Sequence, residues 1–240
     1  NTDQLKNQLA AYDIDLRTTS DTEIILYCYL VFGPKIFKEL NGIFAFAIYE
    51  NNKLTIVRDH VGVKPLFYYF DGSQFVFSSE IKGIFAYGIT PRLNKSSWCE
   101  IIGLGPAHTP GNGVFENIHE VLSGHYLTIN LTPDKKIILE DYCYWKLRSK
   151  IHKDDYNATV MHTNFLIEDS IKNQMVSDIP ICTFLSGGLD SSLVSSIVNK
   201  HLGEKSLATY SFDFVDNNIN FKANSFQTTR DRPYVDIMKD

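Results

Sequence analysis

Positive charge is nowhere gathered in this sequence, and that lack is the first constraint. A chain with a net charge of −5 and no basic cluster has no face for a nucleic-acid backbone, which needs Lys and Arg collected on one side. Long apolar runs are missing as well. None approaches the ~20 residues that a bilayer-spanning helix requires. The first residues, Asn1-Thr2-Asp3-Gln4, do not have the basic-then-apolar layout of a signal peptide. The protein therefore reads as cytoplasmic, with no nucleic-acid and no membrane partner. Cysteine is scarce: Cys28, Cys99, Cys143 and Cys182 are the four present, far apart, with no Cys-x-x-Cys and no histidines at metal-ligand spacing. Each sits among aliphatic or aromatic neighbours, so all four are expected to be reduced core or near-core thiols, not nucleophiles.

What is present is ordinary for a globular protein. The chain's 240 residues, 44% hydrophobic and 21% charged, suffice for a sizeable core and for one or two domains. Apolar residues at helical spacing predict helices over Leu5–Tyr12 and Asp21–Phe32, the second capped by Ser20 or Asp21 and ended by Gly33-Pro34. From Asn41 the period falls to two. Strands are expected at Ile43–Tyr49, Leu54–Val57, Leu66–Phe70 and Phe75–Phe77, with Asn51-Asn52 and Asp71-Gly72 as hairpin turns of an antiparallel sheet. Short helices follow at Ser79–Tyr87 and Trp98–Leu104, then a loop over Gly103–Gly113, then strands at Tyr126–Leu131 and Ile137–Leu139. The polar stretch Lys150–Asn157 marks a domain boundary. Beyond it come an amphipathic helix, Thr159–Val176, with Val160, Phe165 and Leu166 on its apolar face, and a second strand over Ser206–Phe214.

The stretch that carries chemistry lies between these last two elements. Ile179-Pro180-Ile181-Cys182-Thr183-Phe184-Leu185 reads as a strand, Ser186-Gly187-Gly188 as a tight turn, and Leu193–Val198 as part of a helix. Two glycines let the backbone approach a ligand closely, and the helix that follows aims free N–H groups at the turn, which makes an anion site. Ser186, Ser191 and Ser192 add hydroxyls. The lysine of a Gly-x-x-x-x-Gly-Lys-[Ser/Thr] loop is absent, and Asp190 stands where a cation would be wanted. An acidic group beside phosphate implies a bridging Mg²⁺ with Asp190 as its metal ligand. The competing reading is a plain strand-to-helix turn with Asp190 as the helix cap.

Ser186-Gly187-Gly188-Leu189-Asp190-Ser191-Ser192 resembles the pyrophosphate loop of the PP-loop ATP pyrophosphatases, which cleave ATP between its α- and β-phosphates. With the strand-rich half before it, the chain is similar to the glutamine-hydrolysing asparagine synthetases. Thr19-Ser20-Asp21-Thr22-Glu23, Leu40–Phe46, Arg58–Leu66, Phe77–Lys82, Ser123–Leu127 and Val176–Pro180 match that family's pattern in its order. The resemblance implies α+β then α/β architecture: the N-terminal part of an Ntn-type αββα sandwich with antiparallel sheets (residues 1–148, a glutaminase domain), then the start of a doubly wound parallel-sheet PP-loop domain (149–240). It implies ATP and Mg²⁺ as cofactors, with aspartate and glutamine as further small-molecule substrates. Asp21 would hold the α-amino group of glutamine, an ammonium–carboxylate pair. Ser186, Gly187, Gly188, Asp190, Ser191 and Ser192 would cradle pyrophosphate, with Phe184 and Phe214 either beside adenosine or in the core. Arg58-Asp59-His60 is assigned to a structural turn, and His108, His119 and His125 to the surface.

The resemblance also implies residues that the chain does not carry. The Ntn nucleophile is a cysteine at the start of the mature chain, and Asn1 matches the end of a later family motif. The nucleophile is therefore expected upstream, with the synthetase glutamate and lysine beyond Asp240, so the catalytic residues fall outside this fragment and it would be inactive alone. Two alternatives stay open: a β-lactam-synthetase-like or peptide-cyclising amide ligase on the same fold, and a non-catalytic module. The abundance of Tyr and Phe leaves room for a homodimer contact, although sheet cores account for most of them.

Overall fold

The computed structural model describes residues 1–105, 107–203, 207–225 and 227–238. The chain divides into two compact units, Asn1–Ser149 and Lys150–Asp240.

The first unit opens with α1 (Thr2–Ala10) and α2 (Asp21–Phe32). Ser20 caps α2, its hydroxyl accepting from the Thr22 N–H at 3.2 Å. A 3-10 turn, Gly33–Glu39, takes the chain onward with Pro34 in its first turn, where a missing N–H costs nothing. Seven strands then build two antiparallel sheets rather than one. The larger sheet has β1 (Ala45–Glu50), β2 (Lys53–Arg58), β6 (His125–Leu131) and β7 (Ile137–Cys143) in the order β1-β2-β6-β7; the smaller has β3 (Phe67–Phe70), β4 (Phe75–Ser78) and β5 (Ile118–Glu120) in the order β4-β3-β5. Asn51 and Asn52 both lie in the left-handed region, at φ 45° and 62°. A two-residue turn of that kind matches strand twist and fixes the Glu50–Lys53 pairing. Strand β5 had no counterpart in the sequence reading, because three residues carry too little pattern to detect.

Alternation along β2 decides the layering. Val57 joins Leu5, Leu9, Ile24, Cys28, Ile36 and Phe37 in a cluster beneath the helices. Its neighbour Ile56 points the other way, to Leu66, Val121, Leu127 and Ile129. Both faces of the larger sheet are thus covered. Phe37 anchors the helix side, fully buried among the rings of Tyr29, Phe46, Tyr126 and Tyr144 at 5.1–6.1 Å. Helices α3 (Ile81–Ala86) and α4 (Lys95–Leu104) follow β4. The side chains of Asn94 and Ser97 cap α4 reciprocally. Helix α4 runs into the loop expected over Gly103–Gly113, whose Pro106 lies outside the described residues.

The second unit contains α5 (Tyr156–Asn173), β8 (Cys182–Phe184), α6 (Leu189–Leu202), β9 (Ala208–Tyr210), α7 (Asn217–Asn220) and α8 (Arg232–Ile237). Strands β8 and β9 pair in parallel, Cys182 opposite Ala208 and Phe184 opposite Tyr210. Both are shorter than the sequence suggests, and Ser206, at the start of the second expected strand, lies outside the described residues. Helix α6 begins four residues earlier than read, directly on the glycine turn. Helix α5 packs on α6 but buries none of its side chains; Phe165 is 63% exposed.

The expectation of reduced thiols holds for all four cysteines, that of a core position for Cys28 alone. All four thiols are free, Cys28 buried, and Cys99, Cys143 and Cys182 exposed. Apolar sequence neighbours misled because strand and helix periodicity send adjacent residues to opposite faces. Ser97, not Cys99, is the buried residue of α4, and Cys143 ends a strand at the margin of its sheet. No helix among the described residues is long and apolar enough to cross a membrane.

Candidate functional site

In the second unit, the residues after β8 form a short passage into α6. Leu185 is buried and extends the pairing, its N–H donating to the Tyr210 carbonyl at 2.8 Å. Gly187 then turns at φ 78°. A Cβ there would stand 2.8 Å from Tyr234 Cβ and 2.9 Å from the Asp231 carbonyl oxygen, so both its conformation and its surroundings demand glycine. Gly188 is the N-cap residue of α6, and among the described residues no side chain closes that end. The first-turn N–H groups therefore have no intrahelical acceptor and face the turn.

Around this opening the hydroxyls are ordered. Ser186 and Ser191 lie Oγ to Oγ at 2.9 Å, and the Ser191 hydroxyl also donates to the Gly188 carbonyl at 3.1 Å. The Ser186 hydroxyl accepts weakly from the Gly188 N–H at 3.4 Å. Ser192 donates its N–H to the Gly188 carbonyl at 3.0 Å as the first regular helical bond. Asp190 sits in the first turn, exposed to solvent, and does not cap the helix, so the plain-turn reading loses its premise. Behind the turn, Thr183 and the buried Ser195 meet hydroxyl to hydroxyl at 2.8 Å, fixing β8 to α6. Phe184 and Phe214 are 85% and 70% exposed; Phe214 rests edge-on against Phe212 at 5.0 Å.

Among the described residues no group of three or more His, Cys, Asp or Glu side chains is placed to hold a metal ion. Asp190 can supply one carboxylate. That donor set fits a Mg²⁺ only if phosphate oxygens and water complete its shell, as is usual for a cation carried on a nucleotide.

In the first unit, Asp21 opens α2 and lines a cavity of about 160 Å³ with Asn1, Thr2, Leu5, Ile24, Leu40, Asn41 and Phe44 among the other walls. Its carboxylate has one weak side-chain partner, the Thr22 hydroxyl at 3.4 Å, and it is exposed. Asn1 pins the far wall: its amide donates to the Glu39 carbonyl at 2.8 Å and accepts from the Asn41 N–H at 2.9 Å.

Arg58-Asp59-His60 is structural. The Arg58 guanidinium donates to the carbonyls of Val121, Gly62 and Lys64 at 2.6–2.8 Å. The Asp59 carboxylate accepts from the N–H groups of Val61, Val63 and Lys64 at 2.9–3.3 Å. His60 is ringed by Phe44, Tyr144 and Trp145. Of the remaining histidines, His108 meets Glu120 at 3.2 Å and His125 meets Asp141 at 2.7 Å. His119 lies over Tyr68, and burial lowers its pKa. Sequence reasoning named Glu23 only as part of a matched run and did not single out Glu120, yet both hold partners distant in sequence or outside their own helix.

A family profile described as glutamine amidotransferase domain matches residues 1–145, and one described as asparagine synthase matches residues 162–240. Among curated proteins, asparagine synthetase [glutamine-hydrolyzing] 3 of Bacillus subtilis is 41% identical over 99% of this chain and 39% of its own length. Asparagine synthetase [glutamine-hydrolyzing] 2 of the same organism is 34% identical over 75% of this chain and 25% of its own length. Asparagine synthetase B [glutamine-hydrolyzing] of Escherichia coli is 32% identical over 79% and 29%. The chain thus spans about two fifths or less of each of these relatives. With one matched domain on each of its two units, the chain belongs to the glutamine-hydrolysing asparagine synthetase family.

Proposed function

We propose that the protein carrying this chain makes asparagine from aspartate, using ATP and ammonia drawn from glutamine. The reading gives residues 1–148 to an Ntn-type glutaminase sandwich and 149–240 to a PP-loop synthetase domain with a doubly wound sheet, working in the cytoplasm. The observation that carries it is the turn from β8 into α6. Its uncapped N–H groups and paired Ser186 and Ser191 hydroxyls suit the β- and γ-phosphates of ATP, with Ser192, Gly187 and Gly188 completing the cradle and Phe184 and Phe214 available to adenosine.

In this reading the side-chain carboxylate of aspartate attacks the α-phosphate in line. The β-aspartyl-adenylate forms as pyrophosphate leaves into the cradle, and ammonia then displaces AMP to give the amide. Asp190 would hold a Mg²⁺ brought in with the phosphates, which offsets negative charge there. Asp21 would bind the ammonium of glutamine, a role its unspent carboxylate leaves open. Neither the amide-closing alternative nor the non-catalytic one gains support from any contact in the turn.

Calorimetric titration of the full-length protein with Mg-ATP tests the cradle. Asp190→Asn is expected to weaken binding about tenfold or more, since interactions with a charged group are worth about 1.5–3 kcal/mol. Equal affinity in the variant overturns the assignment.

A further inference from the structure

Asp21 can serve as an ammonium ligand only if its backbone is held still, because its own side chain has no strong partner to orient it. The residues around it supply that restraint in an unusual way. Glu23, at the third position of α2, does not bond the N-cap residue as a capping-box glutamate would. Its carboxylate reaches past Ser20 instead, accepting from the Arg17 N–H at 3.0 Å, from the Thr18 N–H at 2.7 Å and from the Thr18 hydroxyl. The same Thr18 hydroxyl oxygen accepts from the Ser20 N–H at 3.2 Å. The Ser20 hydroxyl in turn accepts from the Thr22 N–H at 3.2 Å. The chain of bonds Glu23–Thr18–Ser20–Thr22 closes around Asp21 without using its carboxylate.

We propose that Glu23 is a positioning residue for glutamine capture, acting through Thr18 and Ser20 to fix the backbone that presents Asp21 to the cavity beside Asn1 and Asn41. The proposal rests on the assignment of Asp21 to the ammonium of glutamine. The hydrogen bonds from Thr18 and Arg17 hold the Glu23 carboxyl below its usual range, consistent with a carboxylate that stays charged at neutral pH and keeps accepting. A neutral amide at this position retains the length of the side chain but replaces one acceptor oxygen with a donor. It therefore cannot satisfy three donors at once. The N-terminal entry to α2 would loosen while the apolar face of the helix, Ile24 and Cys28, stays packed.

The test compares Asp21→Asn, Glu23→Gln and Glu23→Asp in the full-length protein, measuring glutamine-dependent and ammonia-dependent asparagine formation separately. Glu23→Gln is expected to raise KM for glutamine about tenfold, within the losses that small misplacements of a binding group produce, and to leave ammonia-dependent kcat and KM unchanged. Glu23→Asp, which keeps the charge, is expected to recover part of the loss. If Asp21→Asn raises KM for glutamine and Glu23→Gln does not, the positioning role is wrong. If Asp21→Asn itself leaves KM unchanged, the assignment of Asp21 fails first. A fall in ammonia-dependent activity with Glu23→Gln would mark a general folding defect and would also overturn the proposal.

Discussion

The guanidinium of Arg58 lies 2.8 Å from the carboxylate of Glu120, with the two side chains only 8% and 11% exposed. Arg58 ends β2, an inner strand of the larger sheet, and Glu120 ends β5, an edge strand of the smaller, so this ion pair ties the two sheets together. Three backbone carbonyls take three of the other four Arg58 N–H groups, and His108 takes the other Glu120 oxygen. Breaking a buried pair of this kind by removing one partner leaves an uncompensated charge, at a cost of about 3–5 kcal/mol. Glu120→Ala is expected to destabilise the first unit by that amount in urea unfolding, and a loss below about 1 kcal/mol would show that the pair is solvated in solution.

Gly187→Ala combines two penalties. The left-handed conformation costs a non-glycine residue about 1–2 kcal/mol, and the added methyl meets the Asp231 carbonyl oxygen at 2.9 Å and the Val235 backbone nitrogen of α8 at 3.0 Å, which cannot swing aside as a side-chain tip could. The variant is expected to lose Mg-ATP affinity at least tenfold and to lower the melting temperature of the second unit. Unchanged binding would mean that the turn opens away from α8 at little cost.

Acid sensitivity should show a contribution from the turn between β3 and β4. Backbone N–H groups of Ser73 and Gln74, then the Ser73 and Tyr69 hydroxyls, hold the Asp71 carboxyl down from 3.8 to about 2. A carboxyl depressed on folding adds stability that is full above its unfolded pKa and disappears as pH falls through the folded one. The window is therefore pH 4 to 2. Asp71→Asn is expected to flatten the stability curve of the first unit across that window while leaving its shape above pH 5 unchanged. An identical acid limb in the two proteins would refute the contribution.

Much of the first unit could be read directly from residue order. Asn51-Asn52 fixed a turn and its register because both residues tolerate positive φ, and the switch from a period near four to a period of two located the start of the strands. Ser20 was readable as a cap for the same local reason. What could not be read was non-local. Glu120 belongs to a strand too short to show a pattern, and its meaning comes from Arg58, far away in sequence. Exposure of Cys99, Cys143 and Cys182 depended on which side of each element found a partner layer. At the candidate phosphate site, the glycines, serines and Asp190 were all named from sequence. Only the folded structure separates an aspartate that caps a helix from one that leaves the cap to Gly188. Glu23 could have been suspected from its place three residues after Ser20, but its reach back to Arg17 and Thr18 departs from the capping pattern that this spacing suggests.

Everything proposed about the synthetase half depends on where ATP is cut. Incubation of the full-length protein with aspartate, an ammonia source and ATP, followed by quantification of the nucleotide and phosphate products, examines this most directly. The account predicts AMP and pyrophosphate in equal amounts with asparagine, and formation of ADP with orthophosphate would contradict it.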